Sequence, residues 1–362
     1  MSAVLVETAP ATRSVDPDKL NAFLGRMVGD LGAIASGALV LLGDRLGLFR
    51  AMRGGEAMSA DDLAQRTGTH ERHVREWLAA QAAAGYVDYD EATETFCLNP
   101  EQAAVFADEG SPASMAGAFE VLSSLWIDEP KVAEAFRHGR GLGWHEHSQC
   151  LFRGTERFFR PGYNANLVPS WLPALDGVVD KLRRGATVAD VGCGHGASTI
   201  VMARAFPKSR FIGFDYHAPS VQAATRAARE AGVTNVRFEV AQAKSFPGRF
   251  DLVAFFDCLH DMGDPVGAAS HVRKALEPDG TWMIVEPFAH DRLEQNLNPV
   301  GAVFYAASTV VCTPASLAQE VGLALGAQAG EARLRDVATQ GGFTRFRRVA
   351  ETPFNMVLEA RP

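Results

Sequence analysis

The sequence predicts an α/β protein, in which a doubly wound, mostly parallel sheet follows a smaller, mainly helical domain. Short apolar runs alternate with helical segments through the second half of the chain, as is typical of such a sheet. A glycine-spaced loop follows the first of these runs, and a helix, turn, helix and ribbon pattern occupies part of the first half. The 362 residues, 47% hydrophobic and 22% charged, suit a globular protein of two or three domains.

The strands of the predicted sheet can be placed in order along the chain. Two final runs, Phe343 to Val349 and Phe354 to Glu359, are separated by too few residues for a crossover helix, so they should pair antiparallel. Helices Ala197–Phe206, Pro219–Ala231 and Pro265–Leu276 separate the earlier strands, and the last two of these helices end at turn residues. The earlier strands are predicted at Val188–Val191, Phe211–Phe214, Val236–Val240, Phe250–Phe256 and Trp282–Glu286.

The loop after the first strand indicates a nucleoside-binding half-fold. Asp190 precedes Gly192, Gly194 and Gly196, which allow a sharp turn and the close approach of a ligand. The second strand ends at Asp215, where a carboxylate can accept hydrogen bonds from a ribose diol. The spacing differs from the dinucleotide pattern G-x-G-x-x-G, and the loop carries no Lys-Ser/Thr pair for phosphates. The alternative is that this is an ordinary turn between strand and helix that binds a different ligand.

This loop and the reversed final hairpin resemble the class I S-adenosylmethionine (SAM) methyltransferases, which have a Rossmann-like sheet of seven strands. The resemblance covers residues 176–362 and implies SAM as the cofactor. It places the glycine loop beside the methionyl part of SAM, and it places Gln242 and Ala243 at the adenine. Asp257 would lie near the methionyl ammonium, although it could instead cap a helix or loop. The implied cofactor-binding residues are Asp190, Gly192, Gly194, Gly196, Asp215, Tyr216, Gln242, Ala243, Asp257 and Tyr163.

Residues 19–110 are predicted to form a winged-helix domain behind a flexible tail, residues 1–18. DNA binding is the most familiar use of a winged helix, but residues 57–110 contain three arginines and eleven acidic residues. This net charge of −8 equals that of the whole chain and would repel a phosphate backbone, so no nucleic-acid partner is expected. The arrangement resembles small-molecule O-methyltransferases, in which such a domain forms the interface of a homodimer. The small-residue helix Leu31–Val40 could contact a partner subunit or form intramolecular core.

The fourth strand leads into a candidate catalytic group. In the O-methyltransferase family a His-Asp-Trp triplet provides the general base, and His260-Asp261-Met262 matches two of its three positions. Glu286 matches an acid that orients this histidine. The family's tryptophan is replaced by Met262, and its second acid would fall near Gln328 or Glu331. His260 could alternatively pack, or lie beside SAM without acting as a base.

The connector, residues 111–175, and an insertion, residues 287–330, are predicted to cover the site. An apolar helix at 304–313 favours a small hydrophobic or aromatic acceptor. His145 and His147 should point apart on a helix, so no metal is expected, and the five cysteines have no C-x-x-C spacing. Packing explains Cys193 and Cys258 better than redox chemistry.

The sequence also predicts a cellular compartment and leaves two alternative functions open. The apolar run Leu31–Leu42 is too short to span a bilayer, and the N-terminus lacks the pattern of a secretion signal, so we expect a cytoplasmic protein without a membrane partner. One alternative is a SAM-sensing transcriptional regulator, in which the winged helix would bind DNA. Another is a methyltransferase whose acceptor atom is nitrogen or carbon.

Overall fold

The computed structural model describes residues 14–362, which divide into two compact units, one ending at Ala103 and one comprising residues 104–362. Most of the predicted tail, residues 1–13, lies outside the described residues, but a helix already begins at Pro17, capped by the side chain of Asp16. The boundary lies before the predicted position at 110. The reason is that Val105 accepts a hydrogen bond from the backbone N–H of Met115, which joins residues 104–110 to the second unit.

The first unit has the elements of the predicted winged helix. Helix α3 begins with a capping box in which Ser59 and Asp62 bond to each other's backbone N–H groups. The two strands pair antiparallel, with Asp88 opposite Cys97. The elements of this part of the chain are α1 (Pro17–Leu46), α2 (Leu48–Ala51), α3 (Ala60–Thr67), α4 (Glu71–Ala83), β1 (Asp88–Asp90), β2 (Thr95–Cys97) and α5 (Pro100–Phe106).

Helix α1 is longer than the apolar run that predicted it. Its buried side contains Val40 and Gly43, and a Cβ at Gly43 would lie 2.4 Å from the Trp77 ring. The indole of Trp77 donates a hydrogen bond to the carbonyl of Leu39. The N-terminal half of α1 exposes large apolar side chains, namely Leu20, Phe23, Leu24, Val28, Leu31 and Ile34.

Two helical segments, Pro17–Leu46 and Pro299–Leu317, are long and apolar enough to cross a membrane by length and composition alone. The apolar run Leu31–Leu42 lies within the first of these helices, which continues beyond the run on both sides. Its N-terminal half carries Arg26 and Asp30, which form an ion pair on its surface. The core helix of a soluble protein can pass the same test, so the compartment stays a prediction.

The second unit is a sheet with helices on both faces. It also contains 3-10 turns at Trp144–Glu146, Leu259–Asp261 and Leu293–Asn296, and π-helical turns at Leu167–Trp171 and Ser308–Cys312. The strands are β3 (Thr187–Val191), β4 (Arg210–Asp215), β5 (Val236–Val240), β6 (Phe250–Phe256), β7 (Leu276–Pro287), β8 (Arg345–Glu351) and β9 (Asn355–Arg361). The helices are α6 (Ala116–His138), α7 (Gln149–Asn166), α8 (Leu172–Ala174), α9 (Val178–Arg184), α10 (Ala197–Ala205), α11 (Ala218–Glu230), α12 (Pro265–Ala275), α13 (Pro299–Ala307), α14 (Thr313–Leu317) and α15 (Gly330–Gln340).

The seven strands lie in the order β5-β4-β3-β6-β7-β9-β8. The first five pair in parallel, and β9 is antiparallel to both of its neighbours, which confirms the predicted reversed hairpin. Strand β7 starts six residues before the prediction because the expected turn at Pro278–Gly280 is accommodated within the strand, where its register with β6 shifts. The order reverses at β3, and open α/β sheets bind ligands at such a point, beyond the carboxyl ends of the strands.

Alternate residues of the strands supply the cores on the two faces of the sheet. Val191, Phe214 and Phe255 belong to one buried apolar cluster, whereas Val188 and Phe211 belong to the other. This division follows from the two-residue period of a strand. Because both faces are buried, the strands read as continuous apolar runs in the sequence.

Candidate active site

A pocket of about 500 Å³ lies in the second unit, at the carboxyl ends of β3, β4 and β6. Its wall includes residues from the strand ends, from the segment around α7 and from the residues that follow α14. Eight of the twelve predicted site residues line it, namely Tyr163, Gly192, Gly194, Asp215, Tyr216, Gln242, Ala243 and Asp257. The other four, Asp190, Gly196, His260 and Glu286, do not.

The glycine loop requires glycine for two different reasons. All three glycines have positive φ, a region that other residues rarely adopt. A Cβ at Gly194 would meet nothing within 4 Å, so this position faces open space in the pocket. A Cβ at Gly196 would lie 2.7 Å from the Phe238 ring. Gly196 therefore permits close packing behind the loop, it does not line the pocket, and its role in cofactor binding stays a prediction.

Asp215, at the end of β4, faces the pocket beside this loop. One carboxylate oxygen accepts the N–H of Gly194 at 2.9 Å, and the other accepts the N–H of His217 at 2.8 Å. Burial raises the pKa of Asp215, and the two backbone N–H groups oppose that change. Each oxygen retains acceptor capacity, which suits a pair of neighbouring hydroxyls. Tyr216, next in the chain, is half exposed at the rim, and burial of its hydroxyl raises its pKa to about 12.

Asp190, at the end of β3, lies behind the loop. Its Oδ2 accepts hydrogen bonds from the hydroxyls of Ser198 and Thr199, both at 2.6 Å, in the first turn of α10. The side chain is fully buried, which raises its pKa to about 6. Asp190 therefore lies outside the pocket wall, where its Oδ2 ties the end of β3 to the first turn of α10, and its role in cofactor binding stays a prediction.

Asp257 and Tyr163 meet where β6 leaves the sheet. The Tyr163 hydroxyl donates to Asp257 Oδ2 at 2.8 Å, and the Asn355 amide donates to Oδ1 at 2.8 Å. Asp257 has a φ of 51°, which an L-residue rarely adopts. Burial and the charge of Glu286 raise the pKa of Asp257 to about 8, so the carboxyl is largely protonated at neutral pH. Gln242 and Ala243 line the pocket beyond β5.

His260 and Glu286 contact each other, but behind the pocket wall. His260 Nδ1 lies 2.5 Å from Glu286 Oε2, and Glu286 Oε1 accepts the backbone N–H of Leu259. Both side chains are almost fully buried. Burial opposes the charged form of the His260 ring, but the carboxylates of Glu286 and Asp261 raise its pKa well above the ordinary value.

Asp261 is the member of this group that lines the pocket. Its Oδ2 accepts the indole N–H of Trp144 at 2.6 Å, and its Oδ1 lies 3.6 Å from His260 Nε2. Burial raises the pKa of Asp261 to about 6, although the nearby His260 cation and the Trp144 hydrogen bond oppose the rise. Glu286, His260 and Asp261 therefore form a buried acid, base and acid series that ends at the pocket.

Among the described residues, one cluster has the donor set and spacing of a metal site. The ligand atoms of His260, Asp261 and Cys312 lie within 4.8 Å of one another. All three residues are buried. The sequence alone did not predict this proximity, because Cys312 comes from the π-helical turn of the insertion.

Side chains of the connector line the pocket, and its two histidines lie in different surroundings. Trp144 and His145 lie in a 3-10 turn and line the pocket, as do Phe152 and Phe159 of α7. The ring of Phe152 stacks on His217, with centroids 4.8 Å apart. His147 is buried and its Nδ1 lies 3.1 Å from Asp128 Oδ2, so it is neither solvated nor in the pocket wall.

The insertion contributes less to the pocket than predicted. Its apolar helix packs against α7, where Phe304, Val311 and Leu151 form a buried cluster. Only residues 318–320, which follow that helix, reach the wall. The apolar side chains of this helix are therefore used largely in packing.

Several lining residues escaped sequence analysis because they lie far apart in the chain. Trp144 belongs to the connector that was predicted to cover the site, but the sequence did not predict the hydrogen bond from its indole to Asp261. Glu156, Asp264 and Glu320 add carboxyl groups to the wall, and Lys244 pairs with the last two. No local pattern distinguishes these residues from ordinary surface charges.

Two family matches agree with this organisation. Residues 182–322 match the family described as Methyltransferase domain, and residues 34–107 match the Rv2258c-like winged HTH domain. The tRNA (guanine-N(7)-)-methyltransferase of Shewanella pealeana is 33% identical over 132 residues, which cover 35% of this chain and 50% of that protein. The chain thus spans about half the length of the curated relatives it matches.

Solved structures share the fold over nearly the whole chain. Human N-acetylserotonin methyltransferase in complex with SAM has a TM-score of 0.67 at 15% identity, over 97% of this chain and 99% of that one. Mitomycin 7-O-methyltransferase has a TM-score of 0.66 at 18% identity, over 95% and 100%. An O-methyltransferase family protein of Burkholderia thailandensis has a TM-score of 0.67 at 16% identity, over 93% and 98%. The chain therefore joins an N-terminal winged helix-turn-helix domain to a methyltransferase domain with the class I fold.

Proposed function

We propose that this two-domain chain is a SAM-dependent methyltransferase that methylates an oxygen atom of a small, hydrophobic or aromatic molecule. The observation that carries the proposal is the pocket at the switch point of a methyltransferase sheet, in which Asp215 and the open face of Gly194 lie side by side. Two of the structural relatives act on mitomycin and N-acetylserotonin, which supports an acceptor of this class.

The pocket fits SAM because hydrogen-bond acceptors and carboxyl groups lie where its parts would bind. Asp215 would hold the ribose hydroxyls, since it lines the pocket and each of its oxygens keeps a free lone pair. Gln242 and Ala243 would contact the adenine. Asp257, held by Tyr163 and Asn355, would pair with the methionyl ammonium.

The charge of the wall favours this cofactor over a dinucleotide. Six carboxyl groups line the pocket, and Lys244 is the single lysine or arginine among the lining residues. Lys244 is itself paired with Asp264 and Glu320. A diphosphate would meet mainly repulsion there, whereas a sulfonium and an ammonium group would be attracted. The loss of the sulfonium charge after transfer would also weaken product binding.

The chain's residues would perform three tasks in the reaction. SAM, when bound, supplies a methyl group on an electrophilic sulfonium. Trp144, Phe152 and Phe159 would exclude water and hold an aromatic acceptor against the wall, so that the reacting atoms are aligned. The series of Glu286, His260 and Asp261 would remove the hydroxyl proton. Of these three residues only Asp261 lines the pocket, so an acceptor would meet Asp261 first.

We also propose that the protein is a homodimer that does not bind nucleic acid. The exposed apolar residues on the N-terminal half of α1 offer a surface for a second copy. On helix α4, Arg72 pairs with Glu76 and Arg75 with Glu71, so the helix presents no stripe of unpaired positive charge. This pairing argues against the alternative of a DNA-binding regulator.

Calorimetry with the full chain tests the cofactor, and a methyl-transfer assay with radiolabelled SAM and a panel of phenols tests the reaction. We expect SAM to bind and at least one phenol to be methylated. Failure of SAM to bind would contradict the proposal, and methylation of amines but not phenols would move the acceptor atom to nitrogen. Light scattering should give a dimer that Leu31→Glu weakens, whereas Leu293→Glu, also an exposed position, should not.

A further inference from the structure

Three side chains that can bind a metal meet behind the pocket wall, although they come from two distant segments. His260 and Asp261 lie in the 3-10 turn that follows β6, and Cys312 ends the π-helical turn of the insertion. Their ligand atoms, a ring nitrogen, a carboxylate oxygen and a sulfur, lie within 4.8 Å of one another. All three residues are buried, and Cys312 is a free cysteine. The cluster therefore combines the three kinds of ligand that zinc takes in proteins.

One atom of the cluster is not accounted for by hydrogen bonding. Asp261 Oδ1 is buried and has no hydrogen-bond partner in the part of the chain that the structure describes. It lies 3.6 Å from His260 Nε2, which is too long for a hydrogen bond. Two ligands of one tetrahedral zinc ion lie about 3.4–3.6 Å apart, since each is about 2.0–2.3 Å from the metal. Because buried polar atoms nearly always have a partner, the spacing of these two atoms suits a cation held between them.

The residues around the cluster orient its ligand atoms as the outer residues of a zinc site do. A zinc-binding histidine usually donates its other ring N–H to a carboxylate. Here Glu286 Oε2 lies 2.5 Å from His260 Nδ1, and Nε2 faces Asp261. Trp144 donates its indole N–H to Asp261 Oδ2 at 2.6 Å, so Oδ1 is the oxygen left for a metal. Both contacts fix the direction of a ligand atom and leave that atom free.

We propose that the chain binds zinc through His260 Nε2, Asp261 Oδ1 and Cys312 Sγ. The donor set favours zinc over magnesium or calcium, because those ions prefer oxygen ligands, whereas an imidazole and a thiolate suit zinc. Of the three residues only Asp261 lines the pocket, and its Oδ1 is buried. The metal would therefore lie behind the wall rather than against an acceptor, and it would tie the insertion to the turn after β6.

This placement makes zinc an inhibitor of methyl transfer, and this part of the inference rests on the proposed function. The series of Glu286, His260 and Asp261 can take up a hydroxyl proton only while it has a free basic atom. With zinc bound, Glu286 occupies Nδ1 of the His260 ring and the metal occupies Nε2. Asp261 Oδ1 is then a ligand as well, and Oδ2 already accepts the Trp144 indole. The zinc-loaded protein should bind SAM but transfer its methyl group slowly.

Metal binding is tested first, on the full chain without SAM or acceptor. After treatment with a chelator, the wild type should bind Co²⁺ with a thiolate charge-transfer band that saturates at one equivalent. Cys312→Ser should lose this band and weaken zinc binding by more than about 100-fold, since it removes a ligand. The matched control is Cys97→Ser, at a partly buried cysteine of the first unit, which should change neither. A wild type without the band, or a band that persists in Cys312→Ser, would overturn the inference.

Glu286→Gln tests the outer residue and decides the matter if Cys312→Ser does not fold. Glutamine keeps the shape of the side chain but lacks the charge that strengthens the imidazole as a ligand. Zinc affinity should therefore fall by roughly 10–100-fold, while the cobalt band remains. Circular dichroism shows whether each variant is folded. An unchanged zinc affinity in folded Glu286→Gln would contradict the use of His260 Nε2 as a ligand.

The inhibitory role is tested with any phenol that the protein methylates. Added Zn²⁺ should slow single-turnover transfer by roughly 10²-fold or more, over the concentrations that fill the site, because the proton acceptor is lost. A chelator should restore the rate, and SAM affinity should stay the same throughout. Transfer that zinc accelerates or leaves unchanged would overturn this role. Absence of SAM binding to the wild type would instead reject the proposed function, and the cobalt and zinc titrations would still decide whether the metal site exists.

Discussion

The two ends of the pocket are built in different ways. At the end that we propose for the nucleoside, the backbone N–H groups of Gly194 and His217 hold Asp215 at the surface of the pocket. At the reaction end, Glu286 and His260 are buried behind the wall and only Asp261 reaches it. The nucleoside end is a local structure of one loop and one strand, whereas the reaction end depends on contacts between distant segments. We therefore expect mutations that weaken SAM binding to differ from mutations that slow proton transfer.

Removing His260 should have the largest effect and should be confined to the reaction end. His260→Ala should reduce the single-turnover rate at neutral pH by roughly 10²–10⁴-fold, while SAM affinity changes little. Glu286→Gln keeps the shape and removes one charge, so its penalty should be smaller and in the same direction. Circular dichroism must show that the variants fold, because an unpaired buried charge costs about 3–5 kcal/mol. An equal loss of SAM affinity would mean that the two ends are not separable.

Mutation of Asp215, unlike mutation of His260, should lower SAM affinity. Asp215→Ala should weaken SAM binding by about ten- to a hundred-fold, since a hydrogen bond to a charged group contributes roughly 1.5–3 kcal/mol. Asp190→Asn is the matched control at the end of the neighbouring strand. It should lower the free energy of unfolding by about 1–3 kcal/mol, with little change in SAM affinity, because its Oδ2 accepts hydrogen bonds from two hydroxyls of α10 and the residue does not line the pocket. Calorimetry measures the SAM affinity of both variants, and thermal unfolding measures their stability. Equal affinities for Asp215→Ala and the wild type would contradict the prediction that Asp215 binds the ribose.

Two glycines of the loop should separate stability from binding. Gly196→Ala combines a φ of 81° with a contact of 2.7 Å to Phe238, so it should destabilise the fold by about 1–3 kcal/mol. Gly194→Ala has open space around its Cβ and should cost about 1–2 kcal/mol from its φ of 52°, while also weakening SAM binding. Denaturant unfolding measures the stability of both variants, and titration with SAM measures their affinity for the cofactor. A Gly196→Ala protein of normal stability but low SAM affinity would mean that Gly196 serves cofactor binding rather than packing.

The smallest expected effect is a pH dependence of SAM affinity. Asp257, with a pKa of about 8 raised chiefly by burial, is protonated at neutral pH without cofactor. Pairing with an ammonium group favours its ionised form, so SAM binding should release a proton below pH 8. Affinity should then rise with pH, by at most about tenfold per unit. Calorimetry in buffers of different ionisation enthalpy should detect the proton, and Asp257→Asn should abolish it; release that persists in this variant would exclude Asp257 as its source.

The sequence by itself determined the sheet and the nucleoside end of the pocket. Strands β5 and β6 have the predicted bounds, because strands buried on both faces leave uninterrupted apolar runs. Gly194 and Asp215 could be identified because a turn that needs positive φ and an acid at a strand end are local requirements. Tyr163 also lies in the predicted pocket, although only the fold shows that it bonds to Asp257.

Tertiary structure alone decided the direction of the carboxylates and the composition of the reaction end. Asp190 and Asp215 occupy similar places at the ends of neighbouring strands, yet the first bonds to hydroxyls of α10 and the second faces the pocket. Trp144 reaches Asp261 across 117 positions of the chain. No local pattern encodes such a contact, because it depends on how the connector packs over the edge of the sheet. Burial raises the pKa of Asp261, and the carboxylates of Glu286 and Asp261 raise the pKa of His260. Burial and the contact with Glu286 both arise from the folding of the chain rather than from the residues beside them.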